Sequence, residues 1–409
     1  MYIFKKEGMK VPVKVWLEEG TLEQGAVDQI INVASLPFVA HHVALMPDAH
    51  QGYGCPIGSV VPLKSTVVPF LVGVDIGCGM CAVKTSLTTI TQEQVKQVMG
   101  KIRELVPVGF NHQKEAQDKT LMPIPEYYAE FQTTPDPEHY PVVSEQYSSA
   151  LKQLGTLGGG NHFIEIQKGS DGHIWFMIHS GSRNLGKKVA DYYNKIAEEL
   201  NEKWCSAVPK KWDLAFLPLD TEEAKSYIRE MDYCLQFALA NRKLMAERIK
   251  QAFLDVMPTL TENLANVTPT FLQEVNIHHN YAVMESHFGK NVMIHRKGAT
   301  RVRLGEIGII PGSQGTSSFI VEGLGNPDSF CSSSHGAGRK MGRAQACKTL
   351  DLAAEQKILN DKGIVHGIRT IQDLDEASGS YKDIDAVMGQ QKDLVKTLVK
   401  LEPLGVVKG

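Results

Sequence analysis

Short apolar runs separated by Gly and Pro fill residues 1–85. Among them Ile57–Val60 and the run Val67–Val74 have the length and β-branched content of buried strands. Residues 91–105 (TQEQVKQVMGKIREL) switch to helical spacing. Residues 107–150 are polar and carry Pro123, Pro125, Pro135, Pro137 and Pro141, a pattern that predicts a loop or mobile insert rather than core. Strand and Gly-rich loop alternate again from Leu154 to His179, and 186–204 predicts a helix. A longer helix is predicted over 220–256. Asp220 or Thr221 suits its N-cap, Glu222 and Glu223 suit its first turn, and Tyr227, Ile228, Met231, Leu235, Phe237, Leu239 and Met245 recur at roughly helical period. Residues 274–340 return to strand and Gly-rich loop, and 346–400 read as mainly helical with a break at Ser378–Tyr381. With no internal repeat and no interdomain linker, the pattern predicts one α/β domain over 1–409. It carries a variable polar insert at 107–150 and a helical insertion at 187–272.

Composition narrows the class. The 409 residues include 43 Lys+Arg against 46 Asp+Glu, and a net charge of -3 is not that of a polybasic nucleic-acid coat. The same net charge rules out a largely disordered acidic chain. No apolar run reaches roughly 18 residues, so no transmembrane helix is expected. The N-terminal MYIFKKEGMKVPVKVW lacks the apolar region of a secretory signal. Seven scattered Cys predict a cytoplasmic protein with reduced thiols, some free to bind metal.

The chemistry-bearing residues cluster in short Gly-rich strings: MPDAHQGYG (46–54), GVDIGCGM (73–80), GGGNHFIE (158–165), IHSGSR (178–183), NIHHNY (276–281) and SSSHGAGR (332–339). Gly permits sharp turns and close backbone approach to a ligand, which a site needs and a core does not. Asp75 and Cys78 form a D-x-x-C after an apolar run. A carboxylate favours hard cations and a thiolate can bridge two ions, whereas the pair taken alone reads more readily as a buried free Cys. His162, His179 and His279 are the other candidate ligands. Singly each reads as structural, and together with Asp75 and Cys78 they form a mixed O/N/S set sufficient for two metals. The chain has no Walker-type loop, and GYGCPIG (52–58) has the wrong spacing for a dinucleotide fingerprint. PGSQGTSS (311–318) offers backbone and hydroxyl donors to an anion, or is a polar turn. In SSSHGAGRKMGR (332–343), His335 is followed by Arg339, Lys340 and Arg343, within two turns if a helix starts there. His335 could attack phosphorus, ligate metal or act as a general acid. Lys408, one residue from the C-terminus, is either a solvated tail residue or a phosphate binder.

Taken together, these strings resemble the RtcB family of RNA-splicing ligases. The resemblance runs from MPDAHQGYGCPIGSV (46–60) through GVDIGCGM, GGGNHFIE, HSGSR, HHNY, PGSQGT and SHGAGR, in family order, to YKDIDAVM (381–388) and the final VKG. It implies mixed β-sheets flanked by helices. It also implies a GTP- and Mn²⁺-dependent ligase that joins 2′,3′-cyclic phosphate or 3′-phosphate RNA ends to 5′-hydroxyl ends, in RNA repair or tRNA splicing. By that resemblance His335 is the guanylylated nucleophile. Cys78 bridges two Mn²⁺ ions, with Asp75 and His162 on one and His179 and His279 on the other. Asn161, Glu165, Asn280, Ser318, His335, Gly336, Ala337, Gly338, Tyr381 and Lys408 fall where the family contacts the guanylate. Arg183 and Arg339 fall at phosphate or RNA contacts, and Asp48 and His50 lie near the metals without an assigned step. Lys187, Lys188, Arg296, Lys297, Arg301 and Arg303 are candidates to line an RNA groove. The resemblance leaves open an activating protein such as archease, which some relatives require. A 3′-phosphate end-capping guanylyltransferase would use the same His335, and a two-metal phosphoesterase would use it only as acid or ligand.

Overall fold

The computed structural model describes residues 1–128, 134–257 and 268–409. Two large sheets organise a mixed α/β fold. The smaller has six strands in the order Tyr2–Phe4, Val13–Val15, Val43–His50, Ile57–Leu63, Lys290–Lys297, Asn280–His287. Val13–Val15 runs parallel to Val43–His50, and the other pairs are antiparallel. The larger is antiparallel throughout, in the order Phe271–His278, Gly79–Thr85, Ile174–Ser180, Phe163–Gly169, Val395–Lys408, Ser318–Gly323, Ile307–Ile310. His279 is the single residue between Phe271–His278 of one sheet and Asn280–His287 of the other. The chain therefore crosses between sheets at a histidine.

The helix Gln92–Leu105 forms as its pattern dictates. Thr91 and Gln94 close a reciprocal capping box, and Val95, Val98, Met99 and Ile102 face the core. The long helix Glu222–Val256 starts at Thr221, whose hydroxyl accepts from Ala224 N at 3.2 Å. Its buried stripe runs Ala224, Tyr227, Met231, Cys234, Phe237, Met245, Ile249 and Phe253. At about 1.5–3 kcal/mol for each large side chain, that burial rather than propensity holds the helix. Asn241 and Arg242 interrupt the stripe, both fully buried.

The structure corrects the sequence reading in several places. Of the Val67–Val74 run only Val67 lies in a strand, the short Thr66–Val67. Pro69 opens the short helix Pro69–Val72, because its ring suits a first helical turn and cannot donate to a ladder. The polar 107–150 stretch ends in the helix Pro141–Gln153, which buries Val142, Val143, Tyr147 and Leu151 against the long helix's core. Residues 129–133 of that stretch, and 258–267 of the 187–272 insertion, lie outside the described residues; 271–272 already belong to a strand. The tail is less helical than expected, since Val395–Lys408 is a strand inside the larger sheet. Its exposed Lys396, Thr397 and Leu398 hid the alternation. No helix starts at His335, which follows the strand Ser332–Ser334; the next helix begins at Arg343. Among the described residues no helix is long and apolar enough to cross a membrane.

Candidate active site

The site forms where strand ends of the two sheets meet. Asp75 and Cys78 occupy the turn leading into Gly79–Thr85, closed by Cys78 N donating to Asp75 O at 3.1 Å. Gly77 sits there at φ +73°, and a Cβ would press on Ala238 and on the backbone of the long helix. His279 N donates to Cys78 O at 2.9 Å, and Gly77 N donates to Asn280 O at 2.9 Å, so the sheet crossing is tied to the metal loop. His162 precedes Phe163–Gly169, and His179 lies opposite Phe163 and Met80 in the larger sheet.

The side chains converge. Cys78 Sγ lies 3.2 Å from His179 Nε2 and 3.5 Å from His162 Nε2, and His179 Nε2 is 3.3 Å from His279 Nε2. Two candidate ligand groups share Cys78: Cys78–His179–His279 and Asp75–Cys78–His162. These separations match the edges of a tetrahedron whose centre is about 2.0–2.3 Å from each atom. His179 Nδ1–H donates to Asn161 O at 3.1 Å, which leaves the Nε2 lone pair aimed at the group's centre. Burial holds His162, His179 and His279 below the ordinary imidazole range, so they are neutral and available as ligands. Burial pushes the Cys78 thiol up, with Asp75 adding to the effect, and a bound cation reverses that balance. Burial also works to raise Asp75, but hydrogen bonds from His162 and Cys78 and the Arg183 charge hold it well below the usual carboxylate range. The Cys78–His179–His279 group therefore offers three ligand atoms to one cation position. The second position needs an adjustment, because Arg183 Nη1 donates to His162 Nδ1 at 3.1 Å, which directs His162 Nε2–H onto Asp75 Oδ2 at 3.3 Å. An ion there requires that proton on Nδ1 and Arg183 turned aside.

His335 stands beside this cluster. Its ring meets His279 edge-on at 4.8 Å between centroids, His279 meets His179 at 5.1 Å, and His179 meets His162 at 5.4 Å. Asp48, fully buried, takes His335 Nδ1–H on Oδ2 at 2.6 Å and also accepts from His335 N at 3.1 Å and Gly336 N at 3.3 Å. The tautomer is thereby fixed, with Nδ1 protonated and Nε2 carrying the free lone pair. Gly338, at φ +72°, lets the chain pass against Asp48 O where a Cβ would overlap.

A cavity of about 550 Å³ opens over His335. Its walls include Asn161, Gly336, Ala337, Gly338, Arg339 and Tyr381, with His50 and His179. Glu165, Asn280, Ser318 and Lys408 do not line it. Asn280 is a strut, donating to Asp75 O at 3.1 Å and accepting from Gly298 N at 2.7 Å. Buried Glu165 accepts from Gln167 Nε2 at 2.7 Å, and the same amide reaches Ser318 Oγ at 3.2 Å. Burial pushes the Glu165 carboxyl up to about 8. Half-buried Lys408 donates to Gly160 O at 2.8 Å, so it is not a frayed tail residue. Buried Glu376 gathers Arg343 at 2.6 Å, Arg339 at 3.0 Å and the Tyr381 hydroxyl.

The RNA-groove candidates divide. Arg296 is 0% exposed and paired with Glu285, and Lys297 is buried with its ammonium on Tyr53 O and Phe70 O. Neither faces a groove, because their strand is covered on both faces near its end. Lys187, Lys188 and Arg303 are exposed, with Lys187 paired to Asp191, and Arg301 is half-buried against Glu306.

Sequence reasoning left Asp48 without a step and passed over Asn241 and Arg242. Arg242 donates to Gly77 O and Ser180 O, each at 2.9 Å, and to Asn276 Oδ1 at 2.7 Å. Asn241 binds Gly155 N, Thr156 N and Gly181 O. One buried pair thus ties together the loops that carry Cys78, His162, His179 and His279. The available signal was adjacent polar residues on a largely apolar helix face.

A histidine held by a buried carboxylate thus stands beside a Cys/His/Asp cluster that could hold metal. The family model described as "tRNA-splicing ligase RtcB" matches residues 29–409. The chain is 38% identical over 405 residues to the RNA-splicing ligase RtcB of Escherichia coli K12, covering 97% of each chain. It is 31% identical over 471 residues to the tRNA-splicing ligase RtcB of Methanococcus maripaludis, covering 99% of this chain and 96% of that one. The RNA-splicing ligase RtcB of Mycobacterium bovis is 30% identical over 443 residues, covering 93% of this chain and all of that one. The chain belongs to the RtcB family.

Proposed function

We propose that residues 1–409 form one RNA ligase domain. It joins RNA ends bearing a 2′,3′-cyclic phosphate or 3′-phosphate to 5′-hydroxyl ends, at the expense of GTP, in RNA repair or tRNA splicing. The observation that carries this reading is the Asp48–His335 pair beside the Cys78–His179–His279 group. His335 Nδ1 is occupied by Asp48, so Nε2 is the nucleophile available to the cavity. Nε2 attacks the α-phosphorus of GTP; a P–N bond forms as the bond to pyrophosphate breaks. The positive charge that develops on the imidazole faces the Asp48 carboxylate. An oxygen of the RNA 3′-phosphate next attacks the guanylate phosphorus and His335 leaves neutral. The 5′-hydroxyl then attacks the activated 3′-phosphate and GMP departs. A cyclic end is first opened by hydrolysis.

Asp75, Cys78 and His162 would hold one Mn²⁺ ion and Cys78, His179 and His279 a second, and the ions would supply charge neutralisation and alignment for these displacements. Asn161, Gly336, Ala337, Gly338 and Tyr381 hold the guanylate from the cavity wall. Glu165, Asn280, Ser318 and Lys408 contribute from behind it. Arg183 and Arg339 are placed to meet phosphate. An activating partner of the archease kind belongs to the same reading.

Incubation with α-labelled GTP and Mn²⁺ tests it. The expected result is an acid-labile, base-stable label on the denatured protein, absent with γ-label and absent in His335→Ala. No adduct with any divalent metal, with or without the activator, overturns the reading in favour of a metal phosphoesterase. An RNA that stops at the 3′-guanylate would instead show end-capping.

A further inference from the structure

The string HQGYG contributes more to the cavity than the chemistry at His335 uses. Tyr53 lines the same cavity as His335, yet it is 74% exposed. No aromatic or cationic side chain among the described residues stacks on its ring. A large exposed aromatic on a floppy tip would mean little, but this tip is fixed from three directions. The Gln29 side chain grips Gly52 twice, donating to its carbonyl at 2.6 Å and accepting from its N–H at 3.2 Å. Glu23 accepts from Gln51 N at 3.0 Å. The Tyr53 carbonyl takes both Cys55 N at 2.8 Å and the buried ammonium of Lys297. Gly54, at φ +70°, packs against the Asp213 backbone, where a Cβ would come within 2.7 Å of a carbonyl oxygen.

A buried lysine and the side chains of Glu23 and Gln29 thus hold one solvent-facing ring at the edge of the cavity over His335. An RNA end whose phosphate sits at His335 must leave the cavity past its rim. The chain's net charge of -3 offers no strong general attraction for that RNA. Stacking on an aromatic platform supplies affinity without reading sequence, because every base has a π-face. We infer that Tyr53 is a stacking site for the nucleobase of an RNA end seated in the cavity; this rests on the ligase reading and specifies how its substrate is held.

The test is a steady-state comparison of wild type with Tyr53→Ala, Tyr53→Leu and Tyr53→Phe in two arms. The first measures guanylate transfer to a 3′-phosphate RNA with no acceptor present. The second measures joining at saturating 3′-phosphate RNA while the 5′-hydroxyl RNA is varied. The KM of one RNA end should rise roughly tenfold in the Ala and Leu variants, kcat should stay within about twofold, and Phe should restore the wild-type KM. The arm that responds identifies the end that stacks. Wild-type KM values for Tyr53→Ala in both arms overturn the stacking site alone. Rescue by Leu as complete as by Phe overturns stacking in favour of apolar bulk. A wild-type protein that neither takes guanylate nor transfers it to RNA overturns the ligase reading, and this site with it.

Discussion

A single proton decides what His335 can do. Asp48 holds it on Nδ1 through a 2.6 Å bond and accepts two backbone N–H groups besides, so the carboxylate is locked before the ring is. Asp48→Asn keeps the size and one acceptor oxygen but removes the charge that faces a developing imidazolium. Protein guanylylation is expected to slow by about 10²–10⁴-fold in this variant, with folding unchanged by circular dichroism. A rate within a few-fold of wild type would show that Asp48 merely fills space. The two residues are 287 positions apart, and no local pattern in MPDAH or SSSHG announces the pairing.

At the scale of elements, the long helix Glu222–Val256 is the frame of the candidate metal site although it contributes no residue to either candidate ligand group. Burial lowers the Arg242 guanidinium to about 10, so it stays charged at neutral pH and donates to carbonyls of two ligand-bearing loops. Arg242→Lys retains the charge but cannot reproduce the fork of donors. Mn²⁺ affinity, read by titration of the free-ion paramagnetic signal, is expected to fall about 10–100-fold. Unchanged affinity would reduce Arg242 to a packing residue. Arg242→Met would leave buried carbonyls unpaired at about 1–3 kcal/mol each, and it should destabilise the whole fold rather than the metal site alone.

Across the whole molecule, a buried ion pair joins the hairpin of the smaller sheet to the strand that delivers His335. Arg296 meets Glu285 at 2.7 and 3.1 Å, and reaches Ser332 Oγ at 2.9 Å and Phe330 O at 3.0 Å. Burial acts to raise the Glu285 carboxyl, but the bonds from His287 and Arg296 outweigh it and bring it from 4.5 down to about 2. Because the folded value lies below the unfolded one, the ionised group stabilises the fold above about pH 4.5. That contribution is lost as pH falls toward 2. The drop corresponds to about 3 kcal/mol near neutrality. Glu285→Gln should therefore lower stability by about 3–5 kcal/mol at pH 7 in denaturant unfolding, and the gap to wild type should narrow by about 2 kcal/mol by about pH 3. A gap independent of pH would assign the loss to packing.

The sequence by itself determined the parts whose information is local. Gly-rich strings marked the turns that hold Asp75, Cys78, His162 and His335, because such turns need Gly wherever they stand. Helical period marked Gln92–Leu105 and most of Glu222–Val256, because one buried face imposes it. Only the tertiary structure decided what depends on partners far along the chain. It drew Val395–Lys408 into the larger sheet between Phe163–Gly169 and Ser318–Gly323, and so brought Lys408 beside Gly160. It turned Arg296 and Lys297 from surface candidates into buried struts, since burial is a property of neighbouring strands and not of residue type. It aimed Asp48 at His335 and Arg242 at two ligand loops, because a hydrogen bond is set by positions in space that no short window of sequence contains.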